Sequence, residues 1–186
     1  MIGFYENFPE VHHGTTRFSC AVPIQDIQTI LLRFLQSLNG NKESISLPEF
    51  IQHGIRVELE VGVADGLAFD FLNEESLERC LNAVSKNALH VLDLFFVVRY
   101  YVVDGVKRKP LKFDYYIVRF LFGEGEVEML VHHERGPRHL AVEELVKFLY
   151  NRINHVLKTK KMNLLSIISI QTVGSGELAD DDLFNF

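Results

Sequence analysis

Two rhythms divide the apolar positions of this chain. Between Leu89 and Glu134, three long apolar segments follow one another, LHVLDLFFVVRYYVV, FDYYIVRFLF and VEMLVHH, separated by DGVKRKPLK and GEGE. Their enrichment in Val, Phe and Tyr, with Asp-Gly and Gly-x-Gly punctuation, predicts a three-stranded antiparallel meander. Upstream, Ile55, Val57, Leu59, Val61 and Val63 alternate with Arg56, Glu58, Glu60 and Gly62, the period of two of a strand with one wet face. Leu67, Phe69 and Phe71 continue that pattern across Ala64-Asp65-Gly66, which predicts a hairpin. A first strand is expected in TRFSCAV, ending at Val22, and a last one from Leu164 to Val173.

The second rhythm is helical. Ile24, Ile27, Leu31, Phe34, Leu35 and Leu38 recur at helical spacing behind Pro23, whose fixed φ and missing donor suit a first turn, and Asn39-Gly40 supplies a left-handed stop. Leu77, Leu81, Val84 and Ala88 give a second helix its buried stripe, with Asn73 as cap and Glu74 and Glu75 at the positive dipole end. A third helix spans about Leu140 to Leu157, with Val142, Leu145, Leu149, Ile153 and Val156 on one face. ISLPEFIQHG is expected to form one helical turn. Pro9 and Gly14 argue against a regular element in residues 1–15.

The order is therefore β-α-β-β-α-β-β-β-α-β, an α+β architecture on an antiparallel or mixed sheet. Residues 1–175 are expected to form a single domain and 176–186 a mobile acidic tail. The alternative is a helix-grip arrangement, in which the sheet wraps the third helix around a ligand cavity. The helix from Glu74 to Lys86 and the strand after the third helix do not suit it.

Composition narrows the functional classes. With 186 residues, 47% hydrophobic and 24% charged, the chain can bury a substantial core. A formal charge of -6 argues against a protein that coats nucleic acid through its overall field. No run reaches the roughly 20 apolar residues of a membrane span, and MIGFYENFPEVHH is no export signal, so a cytoplasmic protein is expected. Cys20 and Cys80 cannot form a metal framework alone, and no cofactor is implied.

The meander carries the main candidate site. If 104–110 centres one hairpin and 123–125 the other, Arg99, Tyr115 and His133 form one cross-strand row. Phe95, Arg119 and Met129 then form another on the same face, shared by Asp93. Arginine among apolar neighbours needs a partner. Asp93 is one candidate partner, and the other is an anionic ligand held by Arg99 and Arg119 and oriented by Tyr115 and His133. A one-residue change in either turn would move a strand's charges to the opposite face.

Other chemistry is thinner. His12-His13 and His132-His133 are adjacent pairs, and neighbours on a strand face opposite ways, so at most one of each pair can join a metal site; no HExxH or paired CxxC is present. There is no GxSxG, and GEGE lies between strands, not before a helix. Glu58 and Glu60 read as a solvated strand face, and Lys107-Arg108-Lys109 with Lys112 as a basic hairpin loop that a polyanion could touch.

The tail DDDLFNF resembles the acidic tip of bacterial single-stranded-DNA-binding proteins over about seven residues, departing from it at Phe184 and Asn185. The resemblance implies that Leu183, Phe184 and Phe186 dock in an apolar pocket with a basic rim on a partner. The rest of the chain does not read as the oligonucleotide-binding barrel of those proteins.

Three helices can cover only one side of the meander, so its other side needs a second layer, a ligand or a sister subunit. The expected function is thus a non-catalytic domain that binds a small anionic ligand or a protein partner, as a homo-oligomer with a dimer favoured. A nucleic-acid accessory protein and an enzyme built on Arg99, Arg119, Tyr115 and His133 are the alternatives.

Overall fold

A computed structural model describes residues 1–40, 44–45 and 53–172. The chain runs β1 (Gly14–Ser19), α1 (Ile24–Gly40), β2 (Ser44–Ile45), β3 (Ile55–Asp65), β4 (Ala68–Phe71), α2 (Glu74–Lys86), β5 (Val91–Asp104), β6 (Lys107–Gly123), β7 (Glu126–Arg135), α3 (Val142–Thr159) and β8 (Ser166–Thr172). Apart from the two-residue β2, this is the expected order of an α+β fold. All strands join one antiparallel sheet in the order β2-β3-β5-β6-β7-β1-β8, with β4 also paired to β3. The turn expected within ISLPEFIQHG, and the whole tail with Leu183, Phe184 and Phe186, lie outside the described residues.

Alternation along the strands builds the core. Leu92, Leu94, Phe96, Val98 and Tyr100 of β5 are fully buried, as are Tyr116 and Val118 of β6 and Val131 of β7. They form one cluster with Leu31, Leu32 and Leu35 of α1, Cys80 and Val84 of α2, and Leu145, Leu149 and Leu157 of α3. Each such side chain removed from water stabilises the fold by about 1.5–3 kcal/mol. Between sheet and helices lies a cavity of about 10 Å³ lined by Phe18, Leu31, Met129 and Leu149, room for no more than one water. Among the described residues, the seam at this point has no room for a ligand of the helix-grip kind.

Local capping follows the sequence in one helix and departs from it in another. Asn73 accepts from the Ser76 amide at 2.9 Å while the Ser76 hydroxyl takes the Asn73 amide, a reciprocal cap for α2. At the end of α1, however, the Asn39 side chain acts as a clamp instead of a stop. Its amide spans Val61 of β3, bonding both backbone N and O at 2.8 Å, and also donates to Leu72 O. The first strand begins at Gly14 and ends at Ser19, so Cys20 to Val22 form the link into α1.

The N-terminal segment takes an unexpected place. β3 pairs with β5 only as far as Val61 opposite Phe96, and beyond that point residues 2–5 fill the gap. Gly3 donates to Ala64 O and accepts from the Asp93 amide, and Ile2 bridges Asp65. Gly3 has φ +80°, and a Cβ there would press on Leu89 and the Val91 carbonyl, so glycine is what this threading requires.

Candidate functional site

The helix-covered side of the sheet is closed, which leaves the opposite side, here called the open face. The strands place on it Phe69 and Phe71 of β4, Asp93, Phe95, Val97, Arg99 and Tyr101 of β5, and Phe113, Tyr115, Ile117 and Arg119 of β6. β3 contributes the small Gly62 and Ala64 between them, so aromatic rings from β4 reach across to β5. Ring centroids run Tyr5 to Phe69 at 4.6 Å, Phe69 to Phe95 at 5.3 Å and Phe95 to Tyr115 at 5.9 Å. Most of this band is half-buried, while Phe71 is 52% and Phe113 38% exposed.

The N-terminal segment covers one end of the band. Asp93, fully buried, receives Arg119 through Nε at 2.7 Å and through a terminal nitrogen at 2.6 Å, and also accepts from the Tyr5 amide at 2.8 Å. Phe4 and Phe8 lie 5.4 and 4.0 Å from the Arg119 guanidinium. Desolvation of both ions is offset by this two-pronged geometry and the added donor. Arg119 is therefore held by the chain's own carboxylate.

Arg99 sits six residues along β5 from Asp93, about 20 Å away at the rise of a strand. It pairs with Glu60 at 2.5 Å and lies 5.9 Å from the Phe113 ring. Arg108 pairs with Glu58 at 2.8 Å. These pairs line a recess of about 240 Å³ with Leu38, Asn39, Leu59 and Tyr101. Tyr115 carries Arg135 over its ring at 4.6 Å.

The two arginines thus share a face but serve different carboxylates, and the register explains why. The first hairpin closes tightly, with Asp104 opposite Lys107 and Gly105 at φ +59°, and the register slips once more between Arg99 and Tyr101, so that Arg119 opposes Asp93 and not Phe95. That is a two-residue correction, which leaves the face unchanged. The second hairpin pairs Gly123 with Glu126 around Gly125 at φ +71°, a one-residue correction that turns β7 over. His133 consequently opposes Tyr116 on the helix side, apart from Arg99 and Tyr115, and Leu130 takes the place expected of Met129.

On that inner side His133 joins a buried polar network. The Asp114 carboxylate, fully buried, accepts from the Tyr100 hydroxyl at 2.6 Å, His133 Nε2 at 2.9 Å, the Arg138 amide at 2.6 Å and the His139 amide at 2.9 Å. Burial by itself would raise the Asp114 carboxyl, but the bonds from His133, Tyr100 and Arg138 together hold it below the usual carboxylate value. An ionised carboxylate only accepts, so His133 carries its hydrogen on Nε2. The Tyr100 oxygen in turn accepts from the Leu140 amide at 2.6 Å, and the Tyr116 hydroxyl donates to Leu140 O. Burial first, then the Asp114 charge, pushes both phenols well up, so they stay neutral donors.

This arrangement ties residues 136–140 to the sheet and leads into α3. Gly136, at φ +114°, packs against the Phe113 carbonyl and the Asp114 side chain where no Cβ fits. His13 adjoins this network, its ring tilted against His132 at 4.9 Å and edge-on to His133 at 6.4 Å between centroids. His13 Nδ1 accepts from the His133 amide at 2.9 Å. Burial, then the nearby Arg138 and histidine charges, lowers the pKa of His13 and favours the neutral ring that this bond requires. Among the described residues no group of three or more His, Cys, Asp or Glu is arranged to hold a metal ion.

Comparison with known protein families, with characterised proteins and with solved structures finds no match for this chain. Among the described residues no helix is long and apolar enough to cross a membrane. Sequence reasoning overlooked Asp114, although a signal existed: it shares its alternation phase with Tyr116, Val118 and Phe120, so a buried carboxylate needing several donors was implied. It also overlooked Phe69, Phe71, Tyr101 and Phe113 as members of one surface, because their adjacency depends on Gly62 and Ala64 lying between them.

Proposed function

We propose that this chain is a non-catalytic binding domain that receives a protein partner on the open face of its sheet, between Phe71 and Phe113. The observation that carries this reading is the aromatic band itself, contiguous through Phe69, Phe95 and Tyr115 and flanked by the exposed Phe71 and Phe113. Aromatic surface of this kind is typical of recognition sites. Near Phe113 it is flanked by Arg99, which pairs with Glu60, and by Arg135 over the Tyr115 ring, in a chain whose net charge is -6. Charge complementarity therefore favours a segment bearing carboxylates together with apolar side chains.

Among the described residues, the buried carboxylates supply no competing catalytic constellation. Asp93 and Asp114 have their acceptor sites occupied by Arg119, Tyr5, Tyr100, His133, Arg138 and His139. Arg99, Arg119, Tyr115 and His133, the groups on which an enzyme reading rests, are spread over two faces. A nucleic-acid partner is disfavoured by the formal net charge of -6.

Fluorescence polarisation tests the reading with three labelled probes: an Asp/Phe peptide, a Lys/Phe peptide of the same length and a single-stranded oligonucleotide. The Asp/Phe peptide is expected to bind in the micromolar range, more weakly as salt rises, and at least about tenfold more weakly to Phe113→Ser. Preference for either other probe, or indifference to Phe113→Ser, would refute it.

A further inference from the structure

The two ends of the sheet differ in a way that bears on self-association. At one end β3 carries Arg56, Glu58 and Glu60, and it is flanked by two short strands, β2 of two residues and β4 of four. Short pieces and charge are the devices by which proteins protect a sheet edge from pairing with another chain. At the other end stands β8, whose sequence SIISIQT contains no charged residue and no proline. Ile167, Ile168 and Ile170 are 41%, 53% and 39% exposed.

We infer that β8 is a dimerisation edge, pairing antiparallel with β8 of a second copy of this chain. An edge strand presents a row of backbone donors and acceptors, so its occupant is a strand. Identity of that strand follows from self-complementarity. An uncharged strand does not repel its own copy, and antiparallel pairing of identical strands closes a two-fold dimer. One protective feature is present, a bulge against β1 that falls between Arg17 opposite Ser169 and Phe18 opposite Ile167, leaving Ile168 as the extra residue. It carries an apolar side chain instead of a charge, and Ser169 to Thr172 continue in regular register with Gly14 to Arg17. The pairing centre therefore lies near Ile170 and Gln171.

The consequence is geometric. Antiparallel edge pairing relates the copies by an axis perpendicular to the sheet, so both helical layers lie on one side and both open faces on the other. Two α3 helices, each anchored to the start of β8 by Tyr150 and Asn154 bonding Leu165 O, then flank the seam and shelter Ile167 and Ile170. A seven-residue strand buries less than a standard interface of about 800 Å² per partner, so a reversible dimer is expected, not an obligate one.

Sedimentation equilibrium of the full chain, from about 1 to 200 μM, tests this. The mass is expected to rise from 21.4 kDa toward twice that value. Ile168→Lys combined with Ile170→Lys, at sites already exposed, is expected to weaken association at least tenfold, while Phe113→Ser leaves it unchanged, so failure here is distinct from failure of the open-face reading. Amide exchange of the native chain gives an independent readout, with outward amides of Ser169 to Thr172 slowing as concentration rises. A constant 21.4 kDa mass, a lysine variant that associates like the native chain, or β8 exchange independent of concentration would overturn the inference.

Discussion

Asp114→Ala is the substitution whose cost the structure defines best. It deletes a fully buried carboxylate that takes two backbone amides, one phenol and one imidazole. Hydrogen bonds to a charged group contribute about 1.5–3 kcal/mol each, but these four share one acceptor group and do not add. Removal also takes this acceptor from the Tyr100 hydroxyl and from the Arg138 and His139 amides. A net loss of about 3–5 kcal/mol follows, the range for breaking one side of a buried charged pair. At roughly 2–4 °C per kcal/mol for a domain of this size, the melting temperature should fall by about 10 °C.

Urea denaturation followed by circular dichroism and fluorescence measures the difference, with Glu126→Gln at the surface as the control expected to stay within about 0.5 kcal/mol. The pH dependence gives a second reading of the same group. Its folded pKa is depressed, so the carboxylate adds stability above the unfolded value, and that stability is lost as pH falls through the folded pKa. The gap between the native chain and the near-isosteric Asp114→Asn should therefore narrow below about pH 4. A loss under about 1 kcal/mol for the alanine variant, or an asparagine gap unchanged from neutral to strongly acid pH, would refute the network as described.

Two further outcomes follow from the same reasoning. Arg119→Met should strand the Asp93 charge, lowering stability by about 3 kcal/mol, and hydrogen exchange should show residues 2–8 opening far more often; unchanged protection there would contradict the role given to the Asp93–Arg119 pair in holding the N-terminal segment. His13→Asn should flatten the stability profile on the acid side of about pH 6.5, because the native folded ring has a lowered pKa and stability drops as pH falls below the unfolded value. Parallel profiles for native and variant chains, measured by thermal melts from neutral to mildly acid pH, would show that His13 titrates normally.

Much of this fold was legible because burial and periodicity agree. The alternation of β3, the helical spacing of Ile27, Leu31 and Leu35, and the aromatic meander all place the same residues inside that the structure places inside. What escaped was tertiary. Residues 1–13 carry no periodicity, yet Gly3 and Tyr5 bond into the gap where β3 and β5 part, and Phe8 packs on Arg119. Asp93, Arg99, Tyr115 and Arg119 were assigned to one face, where the structure has them, since an even shift preserves phase. His133 was not, because a single residue in the turn at Glu124-Gly125 decides which way the whole of β7 faces.

The most direct test of the central claim is to map where an acidic aromatic peptide contacts the folded chain. In amide-resolved NMR titration with the Asp/Phe probe, the account predicts shifts concentrated on β4, on β5 from Phe95 to Tyr101 and on β6 from Phe113 to Ile117, with α1 and α3 unmoved. Shifts centred on the helices, or no saturable shift at millimolar peptide, would contradict it.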